Sequence, residues 1–210
     1  MFKDMIESFI DKTSEDTNII CSIDEDDADF QQYLDFINEK GIACFFSYPI
    51  TVTEHINNVY NSSPGYDYYH ITNDDVIYHT QDWDRIAMGK LEAAGGGIAY
   101  GDDGFQGEGL CTFPIISASV TGALGWLQEP SLNRFSGDSV WMELGRMAKC
   151  LYYCQEIIIE HRHFLNGKRE NDLENFERIH HLDRMAFANW LSNKSIIDTR
   201  KVRGALNGGK

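Results

Sequence analysis

The chain has 210 residues and a formal net charge of −15, with 42% apolar and 12% aromatic residues. That length and apolar content suit one packed domain with a short appendage and exclude a disordered chain. The charge is uneven: residues 1–160 hold 8 Lys/Arg against 27 Asp/Glu, and residues 161–210 hold 10 against 6, so the body would repel nucleic acid or an anionic membrane and only the C-terminal stretch suits a polyanion.

Phe2, Met5, Ile6, Phe9 and Ile10 form a helical stripe, and Asn18–Ile23 reads as a short strand. The run Asp24–Asp27 lacks the Gly and the closing Glu of a calcium loop and reads as a solvated helix start. Asp29 to Glu39 is a helix that Gly41 stops, and Ile42–Tyr48 is a buried strand ending at Pro49. Thr51 or Thr53 caps a helix running through Tyr60, and Ser62–Gly65 is a turn. Residues 66–80 are aromatic and β-branched, broken by Asn73-Asp74-Asp75, and Arg85 to Ala94 is a helix ending at three glycines.

Ile98–Tyr100 is extended and enters the loop GDDGFQGEG at 101–109. Two strands, Leu110–Ile116 and Gly122–Leu127, follow as a hairpin or meander. Val140, Trp141, Leu144, Met147, Ala148, Leu151 and Ile158 recur mainly at helical steps and predict one long helix over 138–161. A second helix is expected from about Asn171 to Trp190, and a short one over Ser195–Leu206. Helices flanking strands with hairpin-like connections predict an α/β fold, an α-β-α sandwich around a central antiparallel sheet with a helical C-terminal extension. Sensory domains of the GAF and PAS kinds have this build. The expected division is a sensory domain over 1–165 and a basic helical segment over 166–210. A parallel nucleotide-binding sheet is not expected, since regular strand–helix alternation is missing.

No apolar run approaches a membrane span, and the first residues lack the features of a secretory signal. Five dispersed cysteines without a CxxC do not make a disulfide framework. The expected location is the cytoplasm.

Few patterns carry chemistry. The Gly-rich loop has no Lys and holds three carboxylates, so it reads as a plain turn or a mobile loop over a pocket rather than a phosphate cradle. Cys111 sits in an apolar strand without a nucleophile elbow and reads as a buried filler. His161, His163, His180 and His181 are the clustered histidines. His180 and His181 are neighbours on a helix and point in different directions, so they do not chelate one ion through both rings, and no metal site is expected. Residues 66–83 are more informative. Tyr66, Tyr68, Tyr69, Tyr78 and Trp83, with His70, His79, Asn73, Asp74 and Asp75, offer the ring walls and few polar groups that a small-molecule cavity needs.

Two stretches resemble the autoinducer-binding domain of LuxR-type quorum-sensing receptors, over roughly residues 42–160. Tyr48-Pro49, an aromatic segment and Asp74-Asp75-Val76 resemble that family's YP…W…Y…DPV layout. Gly109–Ile115 and Gly122–Gly125 resemble its Gly-apolar…Pro-apolar…Gly hairpin. The resemblance implies that Tyr48 and Asp74 hold a ligand head group, that Thr112 faces the pocket and that Trp83 lines it. Val52 stands where the family has its Trp, and Asp75 where it has Pro. The LTxRExEVL opening of that family's DNA-binding region is absent from 161–210.

The sequence thus predicts a ligand-responsive regulator and not an enzyme, with no cofactor and no metal. It would bind a small, partly apolar signal such as an acyl-homoserine lactone through Tyr48, Tyr66, Tyr69, Asn73, Asp74, Trp83, Thr112 and Trp126. It would contact DNA or a protein partner through Lys194, Arg200, Lys201 and Arg203, and dimerise through helix 138–161. The alternatives are an acidic protein-binding inhibitor or anti-activator without ligand, and a small hydrolase using Cys111 and a histidine.

Overall fold

Amphipathic helices and short strands supply the N-terminal half. The structure, a computed structural model, describes residues 1–48, 50–163, 167 and 176–208. Helix α1 (Phe2–Lys12) buries Met5, Ile6 and Phe9 on one face. Strand β1 (Ile20–Asp24), helix α2 (Phe30–Lys40) and strand β2 (Ala43–Ser47) follow. Helix α2 stops where Gly41 turns left-handed at φ 67°, a conformation that costs glycine little. Helix α3 (Val52–Ser62) starts with a reciprocal capping box between Thr51 and Glu54, a device that stabilises a helix start by about 1 kcal/mol.

The two strands β1 and β2 pair in parallel, Ile20 opposite Ala43 through Asp24 opposite Ser47. This local parallel unit is one that the sequence reading does not single out. An 11-residue helix between two short strands is a crossover long enough for parallel pairing. The structure corrects the buried reading of β2, where Ala43 and Phe46 face solvent.

The main sheet has the order β3-β6-β5-β7-β4, with β3 at Tyr68–His70, β4 at Val76–Tyr78, β5 at Ile98–Asp102, β6 at Ile115–Ser117 and β7 at Leu151–His161. Three of its pairings are antiparallel, and β5 with β7 is parallel. The expected central sheet is therefore present in mixed form. Helices α4 (Trp83–Ala94), α5 (Ala118–Leu124), α6 (Gly137–Ala148), α7 (Phe176–Asn193) and α8 (Ser195–Asn207) complete the described residues.

Two expected elements change identity. The strand expected over Gly122–Leu127 is not formed: its first half belongs to helix α5, whose Val120, Thr121 and Leu124 are buried at helical steps before Gly125 ends it at φ 81°. The helix expected over 138–161, and with it the dimer surface placed there, ends at Ala148, because Lys149 adopts φ 61°. The chain continues as β7, rich in the Tyr and Ile that suit a pleated surface. The apolar spacing from Leu144 to Ile158 is compatible with a helix, and sheet pairing on both sides of β7 overrides it. The start of the expected helix at Asn171 lies outside the described residues.

Two apolar clusters form the core. One joins α1, α2, β1, β4, α4 and the outer end of β7. The other joins β5, β6, α5 and α6 and takes in Trp190 and Val202 from the C-terminal helices. The C-terminal pair thus contributes side chains to the same core as the body.

Candidate functional site

The small parallel unit and the main sheet frame a cleft of about 1000 Å³. Its walls come from α1, β1, α3, residues 65–75, the start of α4, residues 112–115, and residues 134–138 at the entry to α6. Asp24 closes the carboxyl end of β1. In open α/β units the crevice beyond the strand carboxyl ends is where ligands bind. Asp24 is held by His55 Nε2 at 2.8 Å, and Ser22 Oγ lies 2.6 Å from His55 Nδ1, so β1 and α3 are tied across this end.

In another part of the lining, residues from three elements meet. Asp75 precedes β4, and His161 ends β7 directly opposite Val76. His161 Nε2 therefore lies 3.4 Å from Asp75 Oδ2. The His163 ring packs 4.9 Å from that of His161, as a strand end does when it turns alternate side chains to one face. Asp138, in the first turn of α6, lines the same region. Burial raises its carboxyl above the ordinary value, and the nearby Asp103 adds to this, against hydrogen bonds from Ser139 and the charge of His161. A carboxyl so raised is better matched to proton transfer near neutral pH.

Three observations mark this part of the lining as suited to a guest. The Trp141 Nε1–H is buried without a hydrogen-bond partner, and so is the Thr112 hydroxyl. Both residues line the cleft, at 1% and 7% exposure. Native interiors leave few such groups unsatisfied. Next to Thr112, Phe113 sits at φ 49°, costly for a bulky residue and typical of functional sites. Its ring packs 4.9 Å from His161.

The residues expected from sequence divide. Tyr66, Tyr69, Asn73, Asp74, Trp83 and Thr112 line the cleft. Tyr69 stacks edge-on between Tyr60 and Tyr66, with ring centres 4.9 and 6.0 Å away. Tyr48 is outside: it is 80% exposed beyond β2, because β2 belongs to the small parallel pair rather than the main sheet. Trp126 is also outside the wall, stacked behind Trp141 at 5.2 Å. The expected polyanion contacts are largely engaged within the chain. Lys194 pairs with Glu129 at 3.0 Å, Lys201 pairs with Asp198 at 3.2 Å, and Arg203 donates to the Met147 carbonyl. Arg200 is exposed.

The loop at 101–109 is a pinned turn rather than a cover over the cleft. Asp103 Oδ1 accepts the backbone N–H groups of Phe105, Gln106 and Gly107, and no residue of this loop lines the cleft. Cys111 is buried, and desolvation together with Asp138 pushes its thiol well above the ordinary value, which argues against a thiolate nucleophile.

Sequence reasoning misses Asp138, Trp141, His161 and His163. The usable signal is the alternation Ile157, Ile159, His161, His163, which in a strand places all four side chains on one face. Compared with known proteins, the chain matches no family model and no curated protein. Among the described residues, no three His, Cys, Asp or Glu side chains converge closely enough to hold a metal ion by themselves, and no helix is long and apolar enough to cross a membrane.

Proposed function

We propose that the cleft belongs to a transferase that moves a sugar from a nucleoside-diphosphate donor to a hydroxyl acceptor with the help of a divalent cation. The observation that carries this is the meeting of Asp75, Asp138, His161 and His163 with the two unpartnered polar groups of Trp141 and Thr112. An aromatic ring beside a carboxylate and free donors suits a polyhydroxylated ligand, whose C–H face packs on the ring while its hydroxyls take the polar atoms. The parallel β1–α2–β2 unit adds support by fold-level analogy only, since such units often seat nucleotides beyond their strand ends.

Carboxylates repel a bare diphosphate, so a donor of this class needs a cation here. Small hard cations are commonly held by one or two carboxylates plus the phosphates of the substrate, without an all-protein cage. Asp75 would supply a carboxylate to it, with the substrate phosphates completing its shell, and the ion would offset negative charge on the leaving diphosphate. Asp138 takes the proton from the acceptor hydroxyl as the new bond to the anomeric carbon forms. The old bond from that carbon to the diphosphate oxygen breaks, and the nucleoside diphosphate leaves with the electron pair. Trp141 and Thr112 orient the sugar.

The test is binding of UDP and GDP with and without Mn²⁺, followed by turnover of the matching sugar nucleotides. Binding that requires Mn²⁺ is expected, and Asp138→Asn should lower kcat by about 10²-fold or more while nucleotide affinity changes little. No nucleotide binding under either condition would end this reading.

A receptor for a partly apolar signal is the second reading. It is favoured by the apolar, ring-rich part of the lining formed by Phe2, Met5, Phe9, Tyr33, Ile56 and Tyr69. Stabilisation by an acyl lactone without cation and without turnover would support it over the transferase.

A further inference from the structure

Helix α7 reaches the wall of the cleft through a buried polar contact made of several hydrogen bonds. Asp183 of α7 is 0% exposed. Its Oδ1 accepts the backbone N–H of Asn133 at 2.8 Å and the Asn133 side-chain amide at 2.7 Å. Its Oδ2 accepts the backbone N–H groups of Arg134 at 2.8 Å and Phe135 at 2.6 Å. One carboxylate therefore fixes three consecutive peptide units. The chain runs directly from these into Ser136, Gly137 and Asp138, and all five residues 134–138 line the cleft.

The same segment lacks local means to hold itself. Ser136, at the N-cap of α6, sits at φ 65° and its side chain makes no capping bond. Gly137 is so close to the Gln128 side chain that a Cβ there would lie 2.0 Å from Gln128 Nε2. The remaining supports come from outside: Thr53 N–H donates to the Asn133 carbonyl at 3.1 Å, and Phe135 packs on Phe176 and His180 of α7 at 5.2 and 5.6 Å. Lys194, between α7 and α8, reaches Glu129 at 3.0 Å, a buried carboxylate that also accepts from the backbone and hydroxyl of Ser131.

We infer that Asp183 is a positioning residue of the transfer reaction: through four hydrogen bonds it sets the path of residues 133–135 and so the placement of Asp138 in the cleft. The inference rests on the transferase reading for its catalytic consequence, and on the hydrogen bonds alone for the clamp. A carboxylate that accepts only is the group required, since all four partners are donors. An amide at this position turns one oxygen into a donor facing donors and forfeits two of the bonds.

The experiment compares the full chain with Asp183→Asn and with Asn133→Ala, a milder change that removes one bond and keeps α7 intact. Amide exchange of residues 134–138 should quicken by about tenfold or more in Asp183→Asn and by less in Asn133→Ala, while exchange in β5 and β7 stays as in the unaltered protein. In turnover of a sugar nucleotide with Mn²⁺, kcat should fall by about tenfold or more, with affinity for UDP and Mn²⁺ within about threefold. Unchanged exchange at 134–138, or acceleration spread evenly through β5, β7 and α7, would overturn the clamp. A selective exchange effect with unaltered kcat would overturn the catalytic role. Absence of nucleotide binding by the unaltered protein would bring down the transferase reading and with it the catalytic consequence, and the exchange rates alone would then decide whether the clamp stands.

Discussion

Trp83 and Trp141 line the same cleft and are equally buried, each 1% exposed. Trp83 is fully satisfied. Its Nε1–H donates to Thr13 Oγ1 at 2.9 Å, and its ring packs on Phe9, His70 and Tyr78 at centre distances of 6.0, 4.6 and 5.0 Å. Trp141 has ring contact with Trp126 but an Nε1–H without a partner. The difference separates structure from function. A group whose bonds are all made within the fold has little left to give a ligand, and a buried donor left open is costly unless something visits it.

Replacing each ring in turn puts this contrast under the most strain. Trp83→Ala should cost about 3–5 kcal/mol of stability, read as a large drop in Tm, with ligand binding lost only as the protein unfolds. Trp141→Phe keeps an aromatic ring and removes the open donor, so Tm should hold or rise while affinity for the sugar nucleotide falls by about tenfold. Equal effects on Tm from the two changes would dissolve the distinction.

The satisfied surroundings of Trp83 also have a pH signature. His70 bonds to Tyr78 and the Pro114 carbonyl, and burial lowers its pKa from 6.5 to about 4. The unfolded chain then binds a proton more readily than the folded one between these values. The contribution of His70 is fully present above about pH 6.5 and is lost as the pH falls toward about 4. Tm should decline across that window, and His70→Phe should flatten the decline. A slope unchanged by the substitution would assign the effect elsewhere.

The smallest effect is expected at Tyr48. The family resemblance gives Tyr48 a head-group role, but its side chain is solvent-exposed and outside the cleft, so Tyr48→Phe should leave ligand binding and Tm unaltered. A measurable loss of affinity would return it to the site.

Local signals are legible where they act alone. The Thr51 and Glu54 cap, the Gly41 stop and the stripe Met5, Ile6, Phe9 predict their helices because each is decided within a few residues. The aromatic segment 66–83 reads as a wall from its composition, and Tyr66, Tyr69, Asp74 and Trp83 do line the cleft. What escapes is set by distant pairing. Residues 151–161 have helix-compatible spacing, and only the flanking β5 and β4 make them a strand. With that element read as a helix, His161 and His163 become diverging positions. Asp138 and Trp141 then pass for one polar and one core position of an ordinary amphipathic helix.

Strand β7 aligns Tyr153 with Tyr100 and then Ile158 with Asp102 of its parallel neighbour, so it spends extra residues at one irregularity before meeting β4. Side chains alternate across a strand, so the parity of that excess decides which way the terminal imidazoles point. Removing one residue between 153 and 158 would turn His161 and His163 out of the cleft together, whereas removing two would keep them facing in. The count of residues in that irregular step, more than their identity, orients this end of the molecule.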